Sequence, residues 1–341
     1  MRKPICAAVF AFACIVLAQQ EPAPAPPGRL VDLGGYRIHL NCSGGGSPTV
    51  VLSPGGGSFS FHWILVQQKV SAFARVCSYD RAGSAWSDPG PQPLTMRQEA
   101  FEVRRALELA GERAPYVLVG QSLGGLVMRV FADRSPRDTA GLVLVDATSP
   151  DTTLGMRGKL VHVREQAKNR PIPEVQTIET SPPRPPSADE LKQWADFRKQ
   201  VGEPKISPPF DRLPAAIQEL HLWASSLPPR AAESDNYFAE ELAQMYEQTQ
   251  RVPAPLGDKQ LVTIVAGRQD PAPPGMTQGQ WDALTAEKVQ EKRGYVRLSH
   301  NSKFVFDAKS GHSVHLDDPD TVVDAIRDVR TAAAKQSRIA Q

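Results

Sequence analysis

The segment Gly120-Gln121-Ser122-Leu123-Gly124 places a hydroxyl between two glycines, where an apolar run, Tyr116–Val119, meets a helical pattern, Leu126–Phe131. A serine on a tight strand-to-helix turn needs small neighbours because the backbone crowds there, and Gly120, Gly124 and Gly125 supply them. The helix that follows aims free N–H groups at the turn, which favours a developing negative charge. The chemistry such a residue performs is nucleophilic attack. It then needs a base to take its proton and an acid to orient that base.

His312, in Ser310-Gly311-His312 after the last strand-like run, is the expected base. Two aspartates end strands in the order Ser…Asp…His. Asp270 ends Gly-x-x-Asp after Leu261–Val265, and Asp146 ends Leu-Val-Asp after Gly141–Val145. Asp270 is sequentially nearer the histidine loop and is the expected acid; Asp146 is the alternative, or else a structural carboxylate beside the serine strand. Ser53-Pro54-Gly55-Gly56-Gly57 ends another strand-like run, Thr49–Leu52. Glycines there let N–H groups approach a substrate oxygen, so Gly56 and Leu123 are the expected oxyanion donors. No Gly-Lys-Ser/Thr accompanies these glycines, which rejects a P-loop. His315 forms His-x-x-His with His312, but no third ligand with recognised spacing joins Asp317 and Asp318, so no metal is expected. His315 reads as a hydrogen-bonded structural residue.

Elements must position these groups. Tyr36–Cys42 alternates apolar and polar residues, and Arg75–Tyr79 and Phe304–Phe306 are further strand signals. Thr95 and Gln98 suggest a capping box before Met96, Ala100, Val103 and Leu107 at helical spacing. Asp318-Pro319 opens a last helix striped by Val322, Val323, Ile326 and Val329. Strands alternating with helices imply a mostly parallel sheet covered on both faces. The Pro-rich stretch 151–256 breaks the alternation. It reads as a helical cap with helices at Leu191–Val201, Ile217–Leu227 and Phe238–Tyr246, and proline-rich hinges at 171–186 and 253–255. Its aromatic residues either line an apolar pocket or hold the cap to its core.

Composition bounds the rest. The 341 residues carry 39 basic and 37 acidic side chains, a net charge of +2, so nothing at this level favours nucleic acid or an anionic membrane. Arg2-Lys3 before an uncharged run to Ala18 reads as a signal peptide over 1–18, too short for a ~20-residue spanning helix. A Pro/Ala-rich tether follows over 19–28, then core segments at 29–150 and 257–335. Cleavage would remove Cys6 and Cys14 and leave Cys42 and Cys77, an even pair in an oxidising compartment and a possible disulfide. The expected location is secreted or periplasmic, with no stable membrane anchor after cleavage.

These motifs resemble the α/β-hydrolase superfamily over essentially the whole mature length apart from the cap. The branch most similar is the secreted or membrane-associated bacterial one with a Tyr-Asp-Arg-Ala-Gly segment, here Tyr79-Asp80-Arg81-Ala82-Gly83, and an ending such as Ser310-Gly311-His312-Ser313-Val314-His315. Pro54 stands where relatives often carry His, and Ala85 where Gly is common. The resemblance implies an α/β-hydrolase fold: a mostly parallel eight-stranded sheet with helices on both faces, an inserted cap and strand order 1-2-4-3-5-6-7-8. That order makes the Cys42 and Cys77 strands neighbours. It carries nucleophile, base and acid onto Ser122, His312 and Asp270. The implied activity is hydrolysis of a small-molecule carboxylic ester through an acyl-enzyme, with no cofactor. A serine argues against the dehalogenase and epoxide hydrolase relatives, whose nucleophile is aspartate. An aminopeptidase would need a cap carboxylate for the substrate amine, for which Glu240 and Glu241 are the candidates. A non-catalytic binding protein on the same scaffold is the remaining alternative.

Overall fold

A computed structural model describes residues 23–156, 159–232, 236–268, 271–272 and 275–340. The signal-peptide reading, with Cys6 and Cys14, and Asp270 lie outside the described residues. The strands are β1 (Arg29–Asp32), β2 (Arg37–Ser43), β3 (Thr49–Ser53), β4 (Val76–Tyr79), β5 (Tyr116–Gln121), β6 (Thr139–Val145), β7 (Thr153–Met156), β8 (Lys159–His162), β9 (Gln260–Ala266) and β10 (Asn301–Asp307). Eight of them form one sheet in the order β1-β2-β4-β3-β5-β6-β9-β10, while β7 and β8 pair separately as a hairpin. This is the order the resemblance implies once the hairpin is set aside. β2 runs antiparallel to both its neighbours; every pairing from β4 to β10 is parallel.

The helices are α1 (Ile64–Ser71), α2 (Met96–Leu109), α3 (Leu123–Arg134), α4 (Ala188–Val201), α5 (Ala215–Ser226), α6 (Phe238–Arg251), α7 (Gln278–Arg293), α8 (Val314–Asp317) and α9 (Pro319–Ala334). Period-2 alternation of the central strands divides the core. Leu118, Leu142 and Leu144 pack with Val103 of α2 and Phe131 of α3, while Val117, Val119, Val143 and Val145 face Val66 of α1 and Ile326 of α9. Both faces being covered is why these strands read as continuous apolar runs.

Local signals decide where helices begin. Thr95 caps α2 by accepting from the Gln98 N–H at 3.0 Å. Gln98 does not close the expected box; its amide donates to Glu102 at 3.0 Å and accepts from the Gln176 N–H at 2.9 Å. Asp318 caps α9 through the Thr321 N–H at 3.2 Å, with Pro319 in the first turn. Between β6 and β9 the chain leaves the sheet and builds α4, α5 and α6, as expected, together with the β7–β8 hairpin, which was not. α4 buries none of its side chains, whereas α6 seats Leu242 and Met245 in the core. Helix α7, absent from the sequence reading, follows β9. Cys42 and Cys77 sit directly opposite each other in the β2–β4 pair and are joined by a disulfide. Among the described residues, no helix is long and apolar enough to cross a membrane.

Candidate active site

Strand β5 delivers Ser122 at φ 52° and ψ −121°, a left-handed conformation that L-residues rarely adopt. Holding a non-glycine residue there costs about 1–3 kcal/mol, which the surroundings must over-determine. They do so by hydrogen bonds: the Ser122 N–H donates to Val145 O at 3.2 Å, and its carbonyl accepts from the Gly125 and Thr148 N–H groups at 3.0 and 3.1 Å. The glycines of the motif are steric requirements. A Cβ on Gly120 would stand 2.3 Å from the Gly124 carbonyl oxygen, and one on Gly124 would stand 2.5 Å from Ser53 O.

His312 sits in the loop between β10 and α8. Its carbonyl accepts from Gln121 Nε2 at 3.0 Å, so the residue before Ser122 ties the histidine loop to the serine turn. Its Nδ1 lies 2.6 Å from Asp146 Oδ2. Asp146 follows β6 directly, also with a positive φ, 42°. Its N–H donates to Ile264 O at 2.8 Å, and Oδ1 accepts from the Ala266 N–H at 3.0 Å. The same Oδ2 that meets His312 accepts from Lys292 Nζ at 2.6 Å. Burial raises the Asp146 carboxyl, but the His312 hydrogen bond and the Lys292 charge outweigh it and hold the group below the usual carboxylate range. The carboxylate on His312 is therefore Asp146, the alternative of the sequence reading; the preferred Asp270 lies outside the described residues. His315 is buried against Trp63, ring centroids 4.6 Å apart, and burial, with His312 nearby, pushes it down to about 3.

Gly56, Ser122, Leu123, Asp146 and His312 all line one cavity of about 1050 Å³. The turn carrying Gly56 is clamped from below. Arg81 donates from Nη1 to Gly55 O at 2.7 Å and from Nη2 to Pro54 O, while its Nε meets Glu99 Oε2 at 2.7 Å. The Tyr79 hydroxyl donates to Glu99 Oε1 at 2.6 Å and lies 2.8 Å from Ser53 Oγ. Asp80 accepts from the Ser60 N–H at 2.7 Å. The Tyr-Asp-Arg segment thus serves as the foundation of the glycine turn. Because the Gly55 carbonyl faces Arg81, the Gly56 N–H of the same trans peptide points the opposite way.

A sequence profile described as alpha/beta hydrolase family matches residues 50–325. The chain belongs to the alpha/beta hydrolase family. Across solved structures, this chain is similar to a thermophilic esterase from Thermogutta terrifontis, with 19% identity, TM-score 0.57, and 89% of this chain and 98% of that one covered. It is also similar to the enol-lactonase from Burkholderia xenovorans, with 16% identity, TM-score 0.56, and 89% and 100% covered. At such identities the likeness is one of fold. A Hormonema carpetanum protein named "Probable transporter efuK" is 25% identical over 329 residues, 87% of this chain. The chain spans only 42% of that relative's length.

Sequence reasoning missed two groups of this candidate site. Thr148 Oγ1 lies 3.4 Å from Ser122 Oγ, while no hydrogen bond joins Ser122 to His312 among the described residues. Thr148 carries no motif; only the turn after Asp146 brings it there. Lys292 lies on α7, whose face toward the cavity is Trp281, Thr285, Lys288, Val289 and Lys292. That i, i+4, i+7, i+8, i+11 spacing was the signal available for it.

Proposed function

We propose that this hydrolase cleaves a carboxylic ester through an acyl-enzyme on Ser122, with His312 as base and Asp146 as the orienting acid. The observation that carries the reading is the His312 Nδ1–Asp146 contact of 2.6 Å on the wall of the cavity that also holds Ser122. With Nδ1 protonated toward Asp146, Nε2 is the free acceptor that takes the serine proton. Ser122 Oγ must turn from Thr148 to His312 for this step; catalytic hydrogen bonds commonly tighten only when substrate is bound. Attack on the carbonyl carbon makes a tetrahedral oxyanion, which the Leu123 and Gly56 N–H groups stabilise. The imidazolium then protonates the departing alcohol. In the second half the same nitrogen activates water to release the acid. The mechanism needs no cofactor. Export belongs to the reading too, supported by the leader-like residues 1–18 and the Cys42–Cys77 bridge.

The aminopeptidase alternative is disfavoured by the two cap carboxylates. Glu240 is engaged by Arg170 at 2.6 Å. Glu241 lines the cavity, but burial pushes its carboxyl up to about 7, leaving a half-neutral partner for a substrate ammonium. The test pairs para-nitrophenyl esters with aminoacyl anilides on wild type and Ser122→Ala, with fluorophosphonate labelling of both. Ester turnover and labelling lost together in Ser122→Ala, without loss of folding, are expected. Ester turnover retained by Ser122→Ala, or anilides preferred over esters by wild type, would overturn the reading.

A further inference from the structure

The charged groups around the cavity mostly come in pairs. Arg81 is matched by Glu99 at 2.7 Å, Arg268 by Asp317 at 3.0 Å, and Lys292 by Asp146 at 2.6 Å. Glu241 is about half neutral near pH 7, because burial pushes its carboxyl up to about 7. Lys288 is the exception. It lines the same cavity, yet among the described residues its ammonium has no hydrogen bond and no ion pair. Partial burial, then the neighbouring Lys292 charge, hold it below the usual lysine range. Glu291, Asp146 and Glu287 act on it at longer range without pairing. A partly desolvated cation without a counter-ion is costly unless something fills the position.

Position on the helix fixes what that something is. Lys288 precedes Lys292 by four residues, so it sits one turn, ~5–6 Å, along α7 from the lysine on Asp146. Trp281 and Val289 continue the same face, giving apolar surface around the one of its two lysines that has no ion pair among the described residues. Ser122 and Lys288 line one cavity, so a ligand with its carbonyl at Ser122 can extend toward this ammonium.

We propose that Lys288 anchors a carboxylate on the substrate, so that this hydrolase prefers esters whose acyl or alcohol part is an anion. The proposal rests on the ester-hydrolase reading for its kinetic form. A single charge-assisted hydrogen bond in a partly desolvated site is worth about tenfold to a hundredfold in specificity.

The experiment compares matched esters at neutral pH and low ionic strength: the mono-para-nitrophenyl ester of glutaric acid against para-nitrophenyl pentanoate, and meta-carboxyphenyl butanoate against phenyl butanoate. The readout is the ratio of kcat/KM within each pair for wild type, Lys288→Met and Lys288→Arg. A ratio favouring the anion in one pair, falling about tenfold to a hundredfold in Lys288→Met and largely kept in Lys288→Arg, supports the proposal and identifies the side that carries the charge. A ratio at or below one in wild type, or one unchanged in Lys288→Met, overturns it. Because each ratio is internal to one variant, a general loss of folded protein cancels. If neither ester of either pair turns over, the ester reading fails. Binding of monomethyl glutarate to Ser122→Ala and to Ser122→Ala/Lys288→Met then decides the anion site separately. At least tenfold weaker binding without Lys288 supports the site, and equal or absent binding overturns it.

Discussion

On the proposed ester-hydrolase reading, Asp146→Asn should cost about 10⁴-fold in turnover, and the geometry says why one atom matters so much. Asp146 Oδ2 accepts from both His312 and Lys292 at 2.6 Å, and Oδ1 accepts from the Ala266 N–H at 3.0 Å. All three neighbours donate, and an asparagine offers only one accepting oxygen. With its NH₂ toward His312, the ring must leave Nδ1 bare and carry its proton on Nε2, the tautomer that cannot receive the serine proton. In a serine protease that swap costs ~10⁴-fold, about 5 kcal/mol of transition-state stabilisation. With its oxygen toward His312, the NH₂ confronts the Ala266 N–H instead. In either orientation Lys292, with a side chain 15% exposed, loses its counter-ion. Removing one partner of a buried pair costs about 3–5 kcal/mol. The assay is kcat/KM on para-nitrophenyl butanoate beside a thermal melt, with Asp270→Asn as control. The expected result is a ~10⁴-fold loss and a lower melting temperature for Asp146→Asn, and less than a tenfold loss for Asp270→Asn. An Asp146→Asn enzyme within tenfold of wild type, or the large loss appearing in Asp270→Asn, would refute the reasoning.

Gly120→Ala should prevent accumulation of folded enzyme, because the new methyl would stand 2.3 Å from the Gly124 carbonyl oxygen on a backbone that cannot retreat; soluble expression and far-UV circular dichroism check this. Glu102 is pushed up to about 7, burial outweighing the lowering hydrogen bonds from Gln98 and Tyr36. Between pH about 4.5 and 7 only the unfolded chain gives up this proton, so the residue makes wild-type stability fall as pH rises. Glu102→Gln should match wild type near pH ~4 and exceed it near pH ~8, by up to about 3 kcal/mol, in denaturant midpoints. Reducing Cys42–Cys77, which closes a 35-residue separation, should lower stability by roughly 3–4 kcal/mol on the chain-entropy estimate; thiol titration of the denatured protein with and without reductant, paired with melts, tests it.

The parts of the fold legible in the sequence are those where local chemistry and tertiary demand coincide. β5 and β6 are covered on both faces, so Tyr116–Val119 and Gly141–Val145 could hardly read as anything but buried strands. Ser122 was legible because its constraints are local: glycines within two residues, then a helix. Helix α7 was not, since it buries only Leu284 and spends Trp281, Lys288 and Lys292 on a cavity wall. A face serving a cavity carries mixed residue types and blurs the apolar stripe by which a helix is read. The β7–β8 hairpin has strands of four residues each, too short for alternation to register.

The contact between His312 and Asp146 was beyond local reasoning, because Asp146 and Asp270 both come after parallel strands in the chain and both precede His312. Sequence proximity to the histidine favours Asp270. Spatial proximity is set elsewhere, by the bond from Gln121 Nε2 to the His312 carbonyl, which spans 191 positions and pins the histidine loop over the C-terminal end of β5. In the sheet order β6 borders β5, and β9 lies one strand beyond it. At ~4.8 Å per strand, the carboxylate at the end of β6 stands about one strand from a histidine held over β5, which brings the 2.6 Å contact within reach. The residue next to Ser122 thereby helps bring His312 to Asp146, and Asp146's own neighbours in the chain do not carry that information.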